Sequence, residues 1–253
     1  MTIQTLFNHF SKHKEGAWIM QPYNLPLLYD LVKNNPIKRV LDLGTGIGLS
    51  SSVIALALKD KGEKGHVDTV EQFDKCIKIA EKLIPEELKE YITIHKGGPK
   101  IWHNPEIPYQ PFSTFENPPY MYESNHEKEP KLAYDLIIVD GPGPWQEEGK
   151  LIDFPNGDIM KMLVERKLKP NTLIAYDGRI QSLQLLERYY GDNFFMHQIA
   201  PKGTDFNVLK RKDNEVVFRD IRYELMGKAY FDEENTISSD SKTSLTSPNT
   251  SNK

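Results

Sequence analysis

Val40-Leu41-Asp42-Leu43-Gly44-Thr45-Gly46-Ile47-Gly48-Leu49-Ser50-Ser51 carries the chain from a hydrophobic strand through a glycine turn straight into a helix. Glycine at every second position lets the backbone bend sharply and lets a ligand lie against main chain where a Cβ would collide. The next apolar run, 66–70, ends at Glu71, 25 residues after Gly46. A carboxylate there faces the crevice beyond the carboxyl ends of the strands, where it can accept both hydroxyls of a ribose. Glycine turn and acid together imply a ligand containing a nucleoside. The plainer alternative is a tight strand–helix turn followed by a solvated Glu71.

Outward from this stretch the same alternation repeats. Short β-branched runs at 39–43, 66–70, 91–95, 135–139 and 172–176 predict buried strands of a parallel sheet, and 49–59, 74–83, 157–166 and 180–190 predict its covering helices. Asp74 and the Gly157-Asp158 pair stand at helix starts. Beyond Tyr190, the runs 193–200 and 206–210, joined by Pro201-Lys202-Gly203-Thr204, predict an antiparallel hairpin closing one side of the sheet. The run 216–225 is either one more strand or a segment packed over an edge.

Residues 99–130 break the rhythm with seven of the seventeen prolines, together with Trp102, Tyr109, Phe112, Phe115, Tyr120 and Tyr122. They are expected to form an irregular but ordered insertion, too aromatic to be a solvated linker and packed on the domain. In 232–253, ten of twenty-two residues are Ser or Thr, a composition that cannot offset its ordering entropy and predicts a disordered tail. A single domain over 1–231 is the resulting expectation.

Composition excludes several classes. The 253 residues carry a formal charge of −4, against a strongly basic surface for nucleic acid. The longest apolar run, 53–58, is far short of a bilayer span, and the first thirty residues lack the apolar region of a secretory signal. The expected location is cytoplasmic, with no membrane or nucleic-acid partner and a small-molecule substrate. The single cysteine, Cys76, has no partner for an internal disulfide or a zinc site and is read as a helix-face residue.

The spacing of the glycines decides which nucleoside is meant. A dinucleotide fingerprint wants glycine at the first, third and sixth positions, whereas the sixth position from Gly44 is Leu49. Asp42, Gly44, Gly46 and Gly48 instead resemble the first motif of class I S-adenosylmethionine-dependent methyltransferases. The resemblance covers roughly 40–210 and implies a Rossmann-like α/β fold with a mostly parallel seven-stranded sheet and a C-terminal antiparallel hairpin. It further implies that Asp42 and the backbone of Gly44, Thr45, Gly46 and Gly48 surround the methionine part of S-adenosylmethionine. Glu71 matches the family's ribose-binding acid, and Gln72 and Phe73 are placed to flank the adenine. One departure stands out: many members carry an acid soon after the third strand that pairs with the adenine amino group, and this chain has Lys96-Gly97-Gly98. The adenine contacts are then expected from backbone or from the insertion.

Methyl transfer from a sulfonium is an in-line displacement in which the enzyme aligns the acceptor and, for a hydroxyl, helps remove a proton. Asp140 and Asp177 end the fourth and fifth strands, where an acceptor meets a ligand in a doubly wound sheet. They are similar to the carboxylates with which small-molecule O-methyltransferases hold Mg²⁺, so both are candidate catalytic residues and candidate metal ligands. Gly178 and Gly143 stand where those enzymes carry an Asn ligand and a catalytic Lys, while Asp140-Gly141-Pro142 and Asp177-Gly178-Arg179 look closer to sugar and small-metabolite methyltransferases whose metal use varies. Asp140 is alternatively a loop cap or a contact to the cofactor's amino group. Arg179 either clamps an acidic substrate or pairs with Asp177, and Trp145 either lines the acceptor pocket or packs.

Asn117-Pro118-Pro119-Tyr120 spells the motif of amino-methyltransferases, but it follows 110–116, a poor buried strand by pattern, so it is read as a chance match; the rival reading is an amino-methyltransferase using Asn117 and Tyr120. A non-catalytic nucleoside-binding protein on the same fold is the other rival. His95, His103 and His126 match no ligand spacing, and Trp18 and Tyr23 lie in a lead-in expected to fold over the cofactor.

Overall fold

The computed structural model describes residues 1–16, 19–62, 64–107, 110–121 and 134–219. In chain order the elements are α1 (Ile3–Phe10), α2 (Leu25–Asn34), β1 (Arg39–Leu43), α3 (Leu49–Lys61), β2 (His66–Glu71), α4 (Asp74–Leu83), α5 (Glu86–Lys89), β3 (Ile92–Lys96), β4 (Pro99–His103), β5 (Pro111–Phe115), β6 (Leu136–Val139), β7 (Trp145–Glu147), β8 (Lys150–Ile152), α6 (Asp158–Val164), β9 (Leu173–Asp177), α7 (Ile180–Tyr190), β10 (Phe194–Gln198) and β11 (Phe206–Arg211).

Seven strands form one sheet in the order β10-β11-β9-β6-β1-β2-β3. The pairs β2–β3, β1–β2, β1–β6 and β6–β9 are parallel, and β11 runs antiparallel to both β9 and β10. The α/β class, the mostly parallel sheet and the closing hairpin are thus as the pattern predicts. The order reverses at β1, and the crevice beside it lies outside the carboxyl ends of β1 and β6, where doubly wound sheets bind ligands.

Both faces of the central strands are buried, which is why they read as continuous apolar runs rather than alternating ones. Val40, Leu136, Ile138 and Ala175 face a layer built from α1, α2 and α3, with Leu6, Phe10, Leu28, Val53 and Ile54 at its centre. Leu41, Leu43, Ile137, Val139 and Tyr176 face the opposite layer, where Phe112 and Phe115 of β5 pack with Ile159 and Leu163 of α6 and Leu183 and Leu186 of α7. Each such fully buried aliphatic contributes about 1.5–3 kcal/mol relative to exposure. Two helices precede the sheet: α1 is capped by Thr2, whose hydroxyl accepts from Thr5 N, and α2 buries Leu25, Leu28, Leu31 and Val32 on one stripe.

The insertion departs from the expectation of an irregular segment. Residues 110–116, a poor strand by pattern, contain β5, which is buried from Phe112 to Phe115 and pairs antiparallel with β4 in a separate two-stranded sheet. Its partner lies within the insertion rather than in the main sheet, and Trp102 packs on Phe112 with ring centroids 5.8 Å apart. Gly157 admits this hairpin, because a Cβ there would come within 2.6 Å of Phe112 Cβ. Of the run 216–225, the part up to Phe218 is tied down by Asn193, which donates to the Val217 carbonyl and accepts from Val217 N, while the Phe218 ring stacks on Tyr189. Trp18, Tyr109, Tyr122, His126, the expected boundary at 231 and the expected disordered tail over 232–253 lie outside the described residues. Among the described residues no helix is long and apolar enough to cross a membrane.

Candidate functional site

The glycine turn takes positive φ at all three glycines: 122° at Gly44, 53° at Gly46 and 99° at Gly48. Gly44 is required by crowding, since a Cβ would lie 2.9 Å from Gly141 N and 3.0 Å from the Asp140 carbonyl carbon. At Gly46 no atom lies within 4 Å of that position, so the backbone there borders open space. The turn is pinned to β2 by Thr45, whose N–H donates to the Val70 carbonyl and whose hydroxyl bonds to Thr69 at 2.7 Å. Thr45 therefore faces the sheet with its side chain.

Asp42 is fully buried beneath this turn. Its Oδ2 accepts from the hydroxyls of Ser50 and Ser51 at 2.8 and 2.6 Å, while Oδ1 is buried without a partner. Burial pushes its pKa up to about 6 against the two serine hydroxyls. Such a carboxylate oxygen is costly to leave bare and suits a cationic group of a ligand. Glu71, also buried, is more engaged than its sequence reading anticipates: Oε2 accepts from Gly46 N at 2.8 Å, and Oε1 accepts from Gln72 N and Phe73 N at 2.9 Å each. A carboxylate has about four acceptor positions, so one remains for a ligand hydroxyl. Gln72 Oε1 is buried and unpartnered, and Phe73 is 50% exposed beside it. The lead-in reaches this rim through an ion pair between Glu15 and Lys75.

Asp140 and Asp177 come together at the ends of β6 and β9. Burial raises the Asp140 pKa well above the usual carboxylate range; the charge of Asp177 adds to the rise and Arg179 opposes it. Asp177 is raised too, first by burial and then by Asp205, against a hydrogen bond from Asn24. Arg179 belongs to Asp140 rather than Asp177: Nη2 lies 3.6 Å from Asp140 Oδ1 and donates to the Asp140 carbonyl. Asn24, the fully buried residue before α2, donates from Nδ2 to Asp177 Oδ1 at 2.6 Å and Asp205 Oδ1 at 2.5 Å. Sequence reading missed Asn24 and Asp205; the only signal was an Asn before a Pro-containing helix start, which marks a cap and not a site. A cleft of about 190 Å³, lined by Pro142, Phe154, Pro155, Asn156, Arg179 and Ser182 among others, opens between the loop after Asp140 and the start of α7. Trp145 instead packs edge-on against Phe154, with centroids 6.4 Å apart.

Of the Asn117–Tyr120 motif, Tyr120 is tied into the core while Asn117 is exposed. Tyr120 donates its hydroxyl to the fully buried Asp158 at 2.5 Å, and Asp158 also accepts from Asn156 Nδ2 at 2.8 Å. Asn156 Nδ2 donates in turn to the Gly141 carbonyl, so this network braces the loop that carries Asp140. Of the histidines, His95 bonds to Asp68 on the sheet face, 2.8 Å away, in a cluster with Arg39 and Tyr134. Cys76 lies partly buried on α4.

Comparison with known proteins gives the same architecture. The family model described as protein-L-isoaspartate(D-aspartate) O-methyltransferase matches residues 8–114. A protein-L-isoaspartate O-methyltransferase of Methanothermobacter thermautotrophicus is 26% identical over 144 residues, 57% of this chain and 64% of that protein. Another, of Pelotomaculum thermopropionicum, is 32% identical over 89 residues, 35% of this chain and 36% of that protein. The chain thus matches less than two thirds of the length of these relatives. Among solved structures, an O-methyltransferase from Bacillus cereus in complex with SAH superposes with a TM-score of 0.55 at 16% identity, covering 83% of this chain and 90% of that one. The O-methyltransferase TomG of Streptomyces achromogenes, in complex with SAM, gives 0.54 at 16% identity with the same coverage. Sheet order, glycine turn and superposition agree: the fold is that of the class I S-adenosylmethionine-dependent methyltransferases.

Proposed function

We propose that the protein is an S-adenosylmethionine-dependent methyltransferase that methylates an oxygen of a small polar acceptor. The observation that carries this reading is the buried, half-partnered carboxylate of Asp42 under an open glycine turn, next to two raised carboxylates at neighbouring strand ends. The residues fit the cofactor: Asp42 Oδ1 would accept from its ammonium, Gly46 leaves main chain open to it, and Glu71 has one acceptor position for a ribose hydroxyl. When bound, the cofactor supplies an electrophilic methyl group on sulfur. Asp140 and Asp177 face the acceptor, and Asp177, with its pKa raised toward neutrality, takes the proton that the acceptor hydroxyl loses as its oxygen is methylated. Arg179 holds the Asp140 loop, and the 190 Å³ cleft receives the rest of a small acceptor.

The donor set does not fit Mg²⁺. Asp140 faces a guanidinium and Asp177 an amide N–H, and Gly178 offers no side-chain ligand. Among the described residues no group of three or more His, Cys, Asp and Glu side chains is arranged to hold a metal ion.

The names of the curated relatives favour a second reading, in which the acceptor is an isoaspartyl carboxylate. The family match, however, ends at residue 114, before Asp140, Asp177 and the cleft, and so bears on the cofactor half of the crevice. A carboxylate acceptor would meet Asp140, Asp177 and Asp205 with Arg179 as counter-charge, an arrangement better suited to a neutral hydroxyl. The test is calorimetric titration with S-adenosylhomocysteine, followed by turnover assays on hydroxylated metabolites and on an isoaspartyl peptide. Absence of binding would sink the methyltransferase reading, and turnover of the peptide alone would replace the acceptor. Activity that survives Asn117→Ala would exclude the amino-methyltransferase rival.

A further inference from the structure

Asn156 joins the two walls of the cleft beside Asp140. It lies just before α6, 5% exposed, in a segment stitched to β5 of the insertion: Ser113 N donates to the Pro155 carbonyl and Gly157 N to the Ser113 carbonyl, both at 2.9 Å. Its backbone N–H donates to Ser182 Oγ in the first turn of α7 at 2.9 Å, and its side-chain Nδ2 donates to the Gly141 carbonyl in the loop after β6. Nδ2 also donates to Asp158 Oδ2 at 2.8 Å, while Oδ1 accepts from Asp158 N at 3.0 Å, so the partners fix which way the amide points. Behind this pair, Asp158 accepts from the Tyr120 hydroxyl at 2.5 Å and from Phe115 N at 3.3 Å.

The loop that Asn156 holds is closely confined. Asp140 N donates to the Leu43 carbonyl at 3.0 Å, and a Cβ on Gly141 would lie 3.0 Å from Phe115 Cζ and 3.1 Å from Gly44 Cα. Gly141 is thus wedged between a ring of the insertion and the glycine turn. Arg179 donates to the Asp140 carbonyl and Asn156 to the Gly141 carbonyl, so two side chains orient consecutive peptides at the residue that presents the Asp140 carboxylate.

We propose that Asn156 is a positioning residue for methyl transfer: by holding the Gly141 carbonyl it aims Asp140 at the reacting centre, and Tyr120 of the insertion, through Asp158, holds Asn156. The inference rests on the methyltransferase reading above. Both Nδ2 hydrogens of Asn156 are committed, to Gly141 and to Asp158, so it has none to donate to a molecule in the cleft and acts through Asp140. A buried carbonyl deprived of its donor turns toward another, and a displacement of about 1 Å at a reacting group costs on the order of 100-fold in rate.

The test reads the aim of Asp140 without an acceptor. The full-length protein is titrated at pH 7.5 with S-adenosylhomocysteine and with sinefungin, whose protonated amine stands where the transferred methyl group would be. Wild type is expected to bind sinefungin about tenfold more tightly, the size of one charge-assisted hydrogen bond. Asn156→Ala should keep its affinity for S-adenosylhomocysteine within about threefold and lose the preference. Combining Asn156→Asp with Asp158→Asn exchanges donor and acceptor within the pair, so their mutual bond survives and the Gly141 carbonyl alone loses its donor. That double variant should melt close to wild type yet lack the preference, and it carries the test if Asn156→Ala does not fold. Tyr120→Phe, which removes one hydroxyl, should reduce the preference about threefold. A preference kept in a folded Asn156 variant would overturn the proposal, and so would an equal loss of both ligands, which marks a structural role. An unchanged preference in Tyr120→Phe would remove the insertion from it. Wild type that binds both ligands equally would withdraw Asp140 from the reacting centre, and this inference with it; wild type that binds neither would sink the cofactor reading itself.

Discussion

Alanine at Gly46 should separate ligand binding from folding, and alanine at Gly44 should not. At Gly46 the backbone is left-handed, with φ 53°, and no atom lies within 4 Å of the new methyl position. The penalty in the unliganded protein is then the left-handed conformation alone, about 1–2 kcal/mol for an L-residue. At Gly44, φ is 122° and the methyl would press on two backbone atoms, Gly141 N and the Asp140 carbonyl carbon, at 2.9 and 3.0 Å. Neither is the yielding end of a side chain, so turn and loop must part, with strain and repacking together costing about 3–5 kcal/mol. In the bound state the ranking inverts relative to stability. The Gly46 methyl fills the space against which the ligand lies, and affinity for S-adenosylhomocysteine should fall about 100-fold, or about 2.7 kcal/mol. Urea denaturation without ligand measures the first quantity and calorimetric titration the second. A Gly46→Ala protein that binds with wild-type affinity, or that loses as much stability as Gly44→Ala, would refute the argument that the open side of this turn is the ligand's place.

Three further outcomes follow from the buried carboxylates. Asp42, with its pKa at about 6, must be ionised to pair with an ammonium, so affinity for S-adenosylhomocysteine should be full above that pH and decline as pH falls through it, by up to about tenfold per unit; Asp42→Asn should bind weakly with a flat profile in titrations from pH 5 to 8. Asp158 is likewise raised to about 6, by burial first and against hydrogen bonds from Tyr120 and Asn156. Because its folded pKa exceeds its unfolded value, the folded state binds the extra proton, and this group's contribution to stability falls as pH rises from about 4 to 6. Denaturation of wild type and Asp158→Asn at pH 5 and 7 should therefore differ in pH dependence by about 1–3 kcal/mol, with the variant the flatter of the two, and equal slopes would contradict the burial argument. Asn24→Asp replaces the amide that bridges Asp177 and Asp205 with a third carboxylate; it should lower the melting temperature at pH 7.5 and regain part of the loss at pH 5, where the cluster protonates.

Much of the fold was legible because its signals are local. Apolar runs such as 39–43 and 135–139 are buried on both faces, so their composition alone marks central strands, and the glycine spacing of 44–48 states a backbone requirement that few other folds share. The hairpin of 206–211 against 194–198 followed from its turn residues. What failed was β5: a Pro-Phe-Ser-Thr-Phe strand does not look buried until its partner Pro99–His103 and the layer of α6 and α7 are placed around it, and both are matters of tertiary contact. The same divide runs through the candidate site. Sequence alone brought Asp42, Glu71, Asp140 and Asp177 to the carboxyl ends of strands, because the end of a continuous apolar run can be read along the chain. Tertiary structure alone assigned Arg179 to Asp140, bound Tyr120 to Asp158, set Asn24 between Asp177 and Asp205, and joined Asn156 to Gly141. Each of these depends on where one element packs against another far along the chain, and hydrophobic periodicity specifies which face of an element turns inward without specifying which distant side chain it meets.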